Sequence, residues 1–209
     1  LMSVMNAKQL ARQLADGKTE RAYMFYGEEG YLKRHYYERL KALVLADGAE
    51  DFNLTVLEGD KLSPQELCDA LDSVPVFSEK RLIVVRDLEL SSLKKELRAL
   101  FAQVLASVPE TAVLLLYEQT VSVDEKLART AEIISLFERS GASVRFDTPP
   151  ADELCRWAER HLSERGKTAD PDTLRYLLSV TDNGMTSLNN ELIKLCHYAS
   201  GERVTRRDI

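Results

Sequence analysis

The chain has 209 residues, of which 44% are apolar and 30% charged, as is typical of a soluble globular protein. Its net charge of −6 argues against a protein that binds duplex DNA on its own. No apolar run approaches the roughly 20 residues of a membrane-spanning helix, and no signal peptide is visible, so we expect a cytoplasmic protein without membrane contact. The three cysteines lie far apart, without the spacing of a zinc site.

Helix and strand patterns alternate in the first part of the chain. Asn6 and the glutamine three positions later predict the capped start of a first helix. The apolar stretch Ala22–Tyr26 predicts a buried strand, which a long amphipathic helix follows. Phe52, Leu54 and Val56 then alternate with other residues, and this spacing predicts a second, half-buried strand.

The next helix has the clearest start in the sequence. Ser63 and Glu66 form the pattern of a capping box, and Pro64 between them occupies the first helical position. Pro75 predicts the end of this helix. The predicted apolar face consists of Leu67, Ala70, Leu71 and Val74.

Three further strand patterns complete a predicted sheet. They cover Leu82–Val85, Ala112–Tyr117 and Ser143–Phe146, with amphipathic helices between them. Five strands separated by helices predict an α/β fold with a five-stranded parallel sheet flanked by helices. After Thr148 only helix patterns occur. We therefore expect an α/β domain over residues 1–147 and a small, all-helical domain over residues 148–209.

The end of the chain has the pattern of a further helix. Thr205 followed three positions later by Asp208 is typical of a helix start. The sequence stops at Ile209, directly after this pattern. We therefore expect this polypeptide to be part of a longer chain with a further C-terminal domain.

Residues 26–34 occupy the position of a nucleotide-binding phosphate loop. Such a loop has Gly, four residues, Gly, Lys and then Ser or Thr, and Gly27 and Lys33 fit this register. Leu32 replaces the second glycine, and its side chain would block the close approach of phosphate to the main chain. Arg34 replaces the hydroxyl that would bind magnesium. The sequence predicts a strand-to-helix turn rather than a working ATP site, and no cofactor.

The remaining titratable residues give no catalytic pattern. Asp87 follows a predicted strand, at the position where an ATPase with a phosphate loop has a metal-binding carboxylate. The next residue in such an ATPase is a catalytic glutamate, but here it is Leu88. The three histidines lack the spacing of metal ligands. We therefore predict no catalytic residue and no metal site, and we expect that the isolated chain is not an enzyme.

The segment before the third predicted strand is the candidate for binding a partner. Neighbouring side chains of an extended segment point in opposite directions, so Val76 and Phe77 cannot both face inward. Packing under the sheet is one interpretation of this pair. Because Pro75 favours a projecting turn, the other is an exposed pair that inserts into an apolar pocket of another protein. Val74, Pro75 and Ser78 flank the pair.

Four groups of residues follow one another over almost the whole chain. They are Tyr26-Gly27-Glu28-Glu29 with Tyr31-Leu32-Lys33, Phe52-Asn53-Leu54, the run from Val76 to Arg86, and Asn190-Glu191-Leu192 with Lys194-Leu195. Together and in this order, they resemble the delta subunit family of bacterial DNA polymerase III, the clamp-loader subunit that opens the sliding clamp.

The resemblance implies an AAA+-like domain with a P-loop-type sheet that does not bind ATP, a helical lid domain and a C-terminal collar domain. It implies that Val76 and Phe77 enter an apolar pocket of the sliding clamp, the beta subunit, although the family's usual pair is Leu-Phe. Further implied partners are the tau/gamma ATPase and the delta-prime subunit, with primer–template DNA contacted only within the assembly.

Three alternatives stay open at this point. The first is a clamp-loader subunit of the ATPase type. The second is a structural subunit like delta-prime, although the zinc-binding cysteines or Ser-Arg-Cys motif typical of that subunit are missing from the sequence. The third is a regulator that binds nucleic acid through the basic side chains of the helical region. These side chains are Arg156, Arg160, Arg165 and Lys167.

Overall fold

The computed structural model describes residues 4–45, 48–182, 184–199 and 201–209. The described residues form two compact units. The first contains residues 4–28 and 32–146, and the second contains residues 29–31 and 147–209. The first unit is a sheet with helices on both faces, and the second is mostly helical.

The described strands of the first unit form one parallel sheet. They are β1 (Met5–Asn6), β2 (Ala22–Tyr26), β3 (Leu54–Glu58), β4 (Arg81–Arg86), β5 (Ala112–Tyr117) and β6 (Ala142–Arg145). Their order across the sheet is β1-β6-β2-β5-β4-β3. The parallel α/β class is confirmed. The strand β1 is an addition to the five predicted strands, because two residues at the sheet edge are too few to show a periodic pattern.

The helices of this unit connect the strands in the expected alternation. They are α1 (Ala7–Ala15), α2 (Gly30–Val44), α3 (Glu50–Asn53), α4 (Pro64–Asp72), α5 (Lys95–Ala106) and α6 (Ala128–Ser140). Both predicted capping boxes are confirmed. The side chain of Asn6 accepts from the Gln9 N–H at 3.0 Å, and that of Ser63 accepts from the Glu66 N–H at 3.2 Å.

One predicted strand begins too early. Residues 50–53 form the short helix α3, so Phe52 lies on a helix with its side chain exposed and is not a strand residue. The strand β3 begins at Leu54 and pairs with β4, with Leu54 opposite Leu82. The alternation of apolar residues over positions 52–56 therefore spans a helix end and a strand start, which have different side-chain periods.

The sheet separates two apolar cores, as expected for parallel strands covered on both faces. Alternate residues of β4 point to opposite sides. Ile83 and Val85 pack with α4, α5 and α6, whereas Leu82 and Val84 pack with α1 and α2. This arrangement explains why the strand reads as a continuous aliphatic run. It also places the carboxyl ends of β2, β4 and β5 at one edge of the sheet.

The second unit contains three long helices. These are α7 (Ala151–Ser163), α8 (Pro171–Val180) and α9 (Met185–Tyr198). A two-residue parallel pair, β7 (Thr168–Ala169) with β8 (Arg203–Val204), departs from the expected all-helical structure. Glu29 belongs to this unit, and its carboxylate accepts hydrogen bonds from the main-chain N–H groups of Tyr31 (3.0 Å) and Met185 (3.1 Å).

Candidate functional site

The turn between α4 and β4 exposes three apolar side chains. Phe77 is 88% exposed, Val74 is 78% exposed and Val76 is 40% exposed. The prediction that Val74 lies on the inner face of α4 is wrong, because the helix ends at Asp72 and Ser73 begins an extended segment. Of the two interpretations of the Val76–Phe77 pair, packing of Phe77 under the sheet is excluded by this exposure.

Phe77 has a main-chain conformation that side chains with a Cβ rarely adopt. Its φ angle is +55°, in the left-handed region that favours glycine. A bulky residue persists there only when the surrounding structure fixes the main chain. Such outliers cluster at binding sites. The conformation of Phe77 therefore depends on the contacts that hold the main chain of the turn.

Hydrogen bonds fix the turn on both sides of Phe77. Before it, the buried side chain of Asn53 accepts from the Val76 N–H at 2.8 Å and donates to the Val76 carbonyl at 2.6 Å. After it, the Ser78 hydroxyl donates to the Lys80 carbonyl at 2.9 Å, and the Lys80 ammonium donates to Thr19 Oγ1 at 3.0 Å. The Phe77 ring thus projects from a turn whose main chain is held by hydrogen bonds both before and after this residue.

An open surface groove of about 540 Å³ borders this ring. It is lined by residues at the C-terminal end of α2 and by residues 77–79 of the turn before β4. Of its apolar members, Leu43 is partly exposed. The lining residues are Leu43, Val44, Leu45, Phe77, Ser78 and Glu79. The exposed apolar surface therefore extends from the turn towards α2.

The phosphate-loop position is a tight turn between β2 and α2. Gly27 has a φ angle of +108°, and a Cβ atom on it would lie 2.4 Å from the Phe146 carbonyl oxygen. Close packing and the positive φ angle are therefore each a reason for glycine at this position. Leu32 packs against the apolar core on the α1 and α2 side of the sheet, and Arg34 is exposed on α2.

Lys33 is buried, and its ammonium is turned towards the carboxyl end of β5. It donates a hydrogen bond to the Glu118 carbonyl oxygen at 2.6 Å and lies 3.4 Å from that of Gln119. These main-chain oxygens hold the group that would reach phosphate in a P-loop ATPase. The lysine that fits the phosphate-loop register thus has a structural role in this fold.

Glu118 is a buried carboxyl group that sequence reasoning missed. Within the described residues, neither carboxylate oxygen makes a well-formed hydrogen bond. The pKa of this carboxyl is raised to about 8. Burial is the largest cause and the nearby Asp87 carboxylate adds to it, whereas the Leu88 N–H and the Lys33 ammonium lower the pKa. The sequence feature that could have indicated this buried carboxyl is a charged residue, Glu118, directly after the apolar strand β5.

Asp87 organises the loop after β5. Its carboxylate accepts hydrogen bonds from the main-chain N–H groups of Gln119 (2.6 Å) and Thr120 (2.8 Å) and from the Thr120 hydroxyl (2.8 Å). Partial burial alone would raise the pKa of Asp87, but the hydrogen bonds outweigh burial and hold this pKa below its usual value. The carboxylate at the metal-binding position is therefore engaged in protein contacts.

The described residues contain neither a metal-binding cluster nor a membrane-spanning helix. No cluster of three or more histidine, cysteine, aspartate or glutamate side chains has the geometry to bind a metal ion. In the same residues, every helix is too short or too polar to cross a membrane.

The model of the family described as DNA polymerase III, delta subunit matches residues 23–146, more than half of the chain. The chain belongs to this family. Among curated delta relatives, a probable DNA polymerase III subunit delta of Aquifex aeolicus is 27% identical in an alignment of 198 positions that covers 90% of this chain and 53% of that protein. The DNA polymerase III subunit delta of Bacillus subtilis is 24% identical and is matched over 95% of this chain and 58% of its own length. The chain therefore spans slightly more than half of these relatives.

Solved structures support the same fold. A Bacillus subtilis DNA clamp loader delta protein superimposes with a TM-score of 0.66 and 21% identity, covering 97% of this chain and 60% of that protein. The RuvB Holliday junction branch migration motor of Thermotoga maritima superimposes with a TM-score of 0.56 and 10% identity, covering 95% of this chain and 63% of that one. The predicted AAA+-like fold of a delta subunit is thereby confirmed.

Proposed function

We propose that this chain binds a sliding clamp through the turn that carries Val76 and Phe77. The observation that supports the proposal is the Phe77 ring, which is 88% exposed on a turn fixed on both sides. A rigidly presented aromatic side chain is the kind of anchor that dominates protein interfaces, because it buries a large apolar area at a small entropic cost. The family and the clamp-loader name of the structural relative support a sliding clamp as the partner.

Binding at this turn would open the ring by selecting one of its conformations. A ligand shifts an equilibrium only through its different affinities for the two states. We propose that Phe77 and Val76 enter a pocket that differs in shape between the closed and open clamp. The flanking residues Val74, Pro75 and Ser78 would contact the pocket rim, and α4 would brace against the clamp surface.

We further propose that the chain contributes to clamp loading without hydrolysing ATP. Leu32 and Arg34 stand where a P-loop has glycine and a hydroxyl. Lys33 is held by main-chain carbonyls, and Asp87 is held by the loop after β5. The tau/gamma ATPase and delta-prime subunits would be its other partners, in the cytoplasm, and DNA would be contacted only within that assembly.

Replacing Phe77 by alanine tests the proposal. We expect Phe77→Ala to weaken clamp binding by roughly 30-fold or more, which corresponds to a loss of about 2 kcal/mol at an interface anchor. The fold should be unaffected because the ring makes few contacts in the free protein. Binding is measured by surface plasmon resonance on the sliding clamp of the same replication system, and folding by circular dichroism.

Tyr198→Ala provides the matched control. Tyr198 is a comparably exposed aromatic residue (83%) in the second unit, so its removal should leave the clamp affinity unchanged. If a folded Phe77→Ala variant bound the clamp as well as the wild type, the assignment of Phe77 would be wrong. Release of clamps from nicked circular DNA gives the second readout, because a closed ring leaves circular DNA only by opening.

A further inference from the structure

Asn53 connects two parts of the chain that lie 23 residues apart in sequence. It is the last residue of α3, and its side chain is completely buried. The Asn53 amide both accepts from the Val76 N–H (2.8 Å) and donates to the Val76 carbonyl (2.6 Å), as a neighbouring strand would. Its Nδ2 group also donates to the Ala49 carbonyl at 3.0 Å, which fixes the orientation of the amide.

These two hydrogen bonds act on the residue directly before Phe77. Holding both polar groups of Val76 restricts the main chain at the point where it enters the unfavourable left-handed conformation of Phe77. Nothing in the exposed Phe77 ring itself can offset that conformation, because the side chain is almost fully in solvent. The main-chain geometry of the turn therefore depends on its anchors.

We propose that Asn53 is a positioning residue for partner binding, which holds the Val76–Phe77 turn in its binding conformation before the partner arrives. This inference rests on the proposed function of the turn. A loop that is already ordered loses less conformational entropy on binding, so its affinity is higher and its association faster than those of a disordered loop. Asn53 thus contributes to the affinity without touching the partner.

The test is a double-mutant cycle on clamp affinity. Removing the Asn53 amide should weaken clamp binding by about tenfold, mainly through slower association, because the binding conformation would then be only a fraction of the population. In a chain that already carries Phe77→Ala, the same Asn53→Ala change should have almost no further effect. A general loss of stability would lower the melting temperature without producing this dependence on Phe77.

Hydrogen exchange provides a readout that needs no partner. In the wild type the Val76 amide is bonded to Asn53 Oδ1, so its exchange should be slow although the turn is at the surface. We expect Asn53→Ala to accelerate exchange at Val76 while strand β4 stays protected. Ser73→Ala is the matched control, because it removes a hydrogen bond of the same segment that does not involve Val76 (Ser73 Oγ to the Asp69 carbonyl, 2.6 Å).

If Asn53→Ala does not fold, Asn53→Ser replaces it in the same measurements, because the shorter hydroxyl can still reach the Ala49 carbonyl of its own helix.

The outcomes of these experiments distinguish the proposed function of the turn from the proposed role of Asn53. Full clamp affinity of Phe77→Ala would refute the function of the turn. Loss of affinity in Phe77→Ala, with full affinity in a folded Asn53 variant, would refute only the positioning role. Equal weakening by Asn53→Ala with and without the Phe77 ring would also refute it.

Discussion

The buried carboxyl of Glu118 predicts a pH dependence of stability that one substitution should remove. Glu118 follows β5, is completely buried and has a pKa raised from 4.5 to about 8. A carboxyl with a higher pKa in the folded than in the unfolded chain binds its proton more tightly when folded. Its contribution to stability is therefore fully present below pH 4.5 and is lost as the pH rises towards 8.

The size of this effect follows from the change in pKa. Each unit of difference between the folded and unfolded pKa corresponds to about 1.4 kcal/mol, so a rise from 4.5 to about 8 sets an upper limit of roughly 5 kcal/mol. Water that reaches the carboxylate on ionisation reduces this value. In Glu118→Gln the side chain is neutral at every pH, and we expect the variant to be more stable than the wild type by a few kcal/mol at pH 9 and about equal at pH 5.

Urea denaturation between pH 5 and pH 9 measures this difference. The free energy of unfolding is compared at each pH for the wild type and for Glu118→Gln, so that other titrating groups cancel. Glu110→Gln is the control, because the side chain of Glu110 is exposed and its ion pair with Arg21 should contribute little. Parallel stability curves for the wild type and Glu118→Gln would refute the reasoning, since they would mean that Glu118 titrates equally in both states.

Two further predictions concern the phosphate-loop position. Gly27→Ala should lower the free energy of unfolding, measured by urea denaturation, by several kcal/mol. The reason is that its Cβ would lie 2.4 Å from the Phe146 carbonyl oxygen, at a residue with a positive φ angle. Gly30→Ala is the control and should change this free energy little, because no atom lies within 4 Å of the added Cβ. A stable Gly27→Ala protein would contradict the close packing described there. Isothermal titration calorimetry with magnesium-ATP should give no binding heat, and a dissociation constant in the micromolar range would contradict the structural role assigned to Lys33.

The helices and central strands could be predicted because their signals are local. The strand Ala112–Tyr117 and the capping box at Ser63 depend on residues that are neighbours in sequence. The short helix α3 was missed because four residues are too few for a period, and Phe52 fits a strand pattern equally well. The end of α4 before Val74 was missed because the proline after it gives only a limit, not the last helical residue.

The sequence also suggested the apolar pair of the turn, but it left the direction of the pair open. Whether Phe77 is buried or exposed depends on what the rest of the chain places beside it, and so on contacts between distant residues. The same holds for Asn53 and Glu118, which look like ordinary polar residues at a helix end and a strand end. Their importance comes from burial, which is a property of the assembled fold.

The sequence by itself determined the family, the parallel α/β class and the degenerate phosphate loop, because these are expressed in residue order and spacing. Only the tertiary structure decided that Phe77 projects into solvent in a left-handed conformation and that Asn53 hydrogen-bonds the main chain of Val76 beside it. It also decided that the Lys33 ammonium is bound by main-chain carbonyls just after β5. The physical reason is that each of these features depends on hydrogen bonds between residues 23 to 86 positions apart, which no local pattern records.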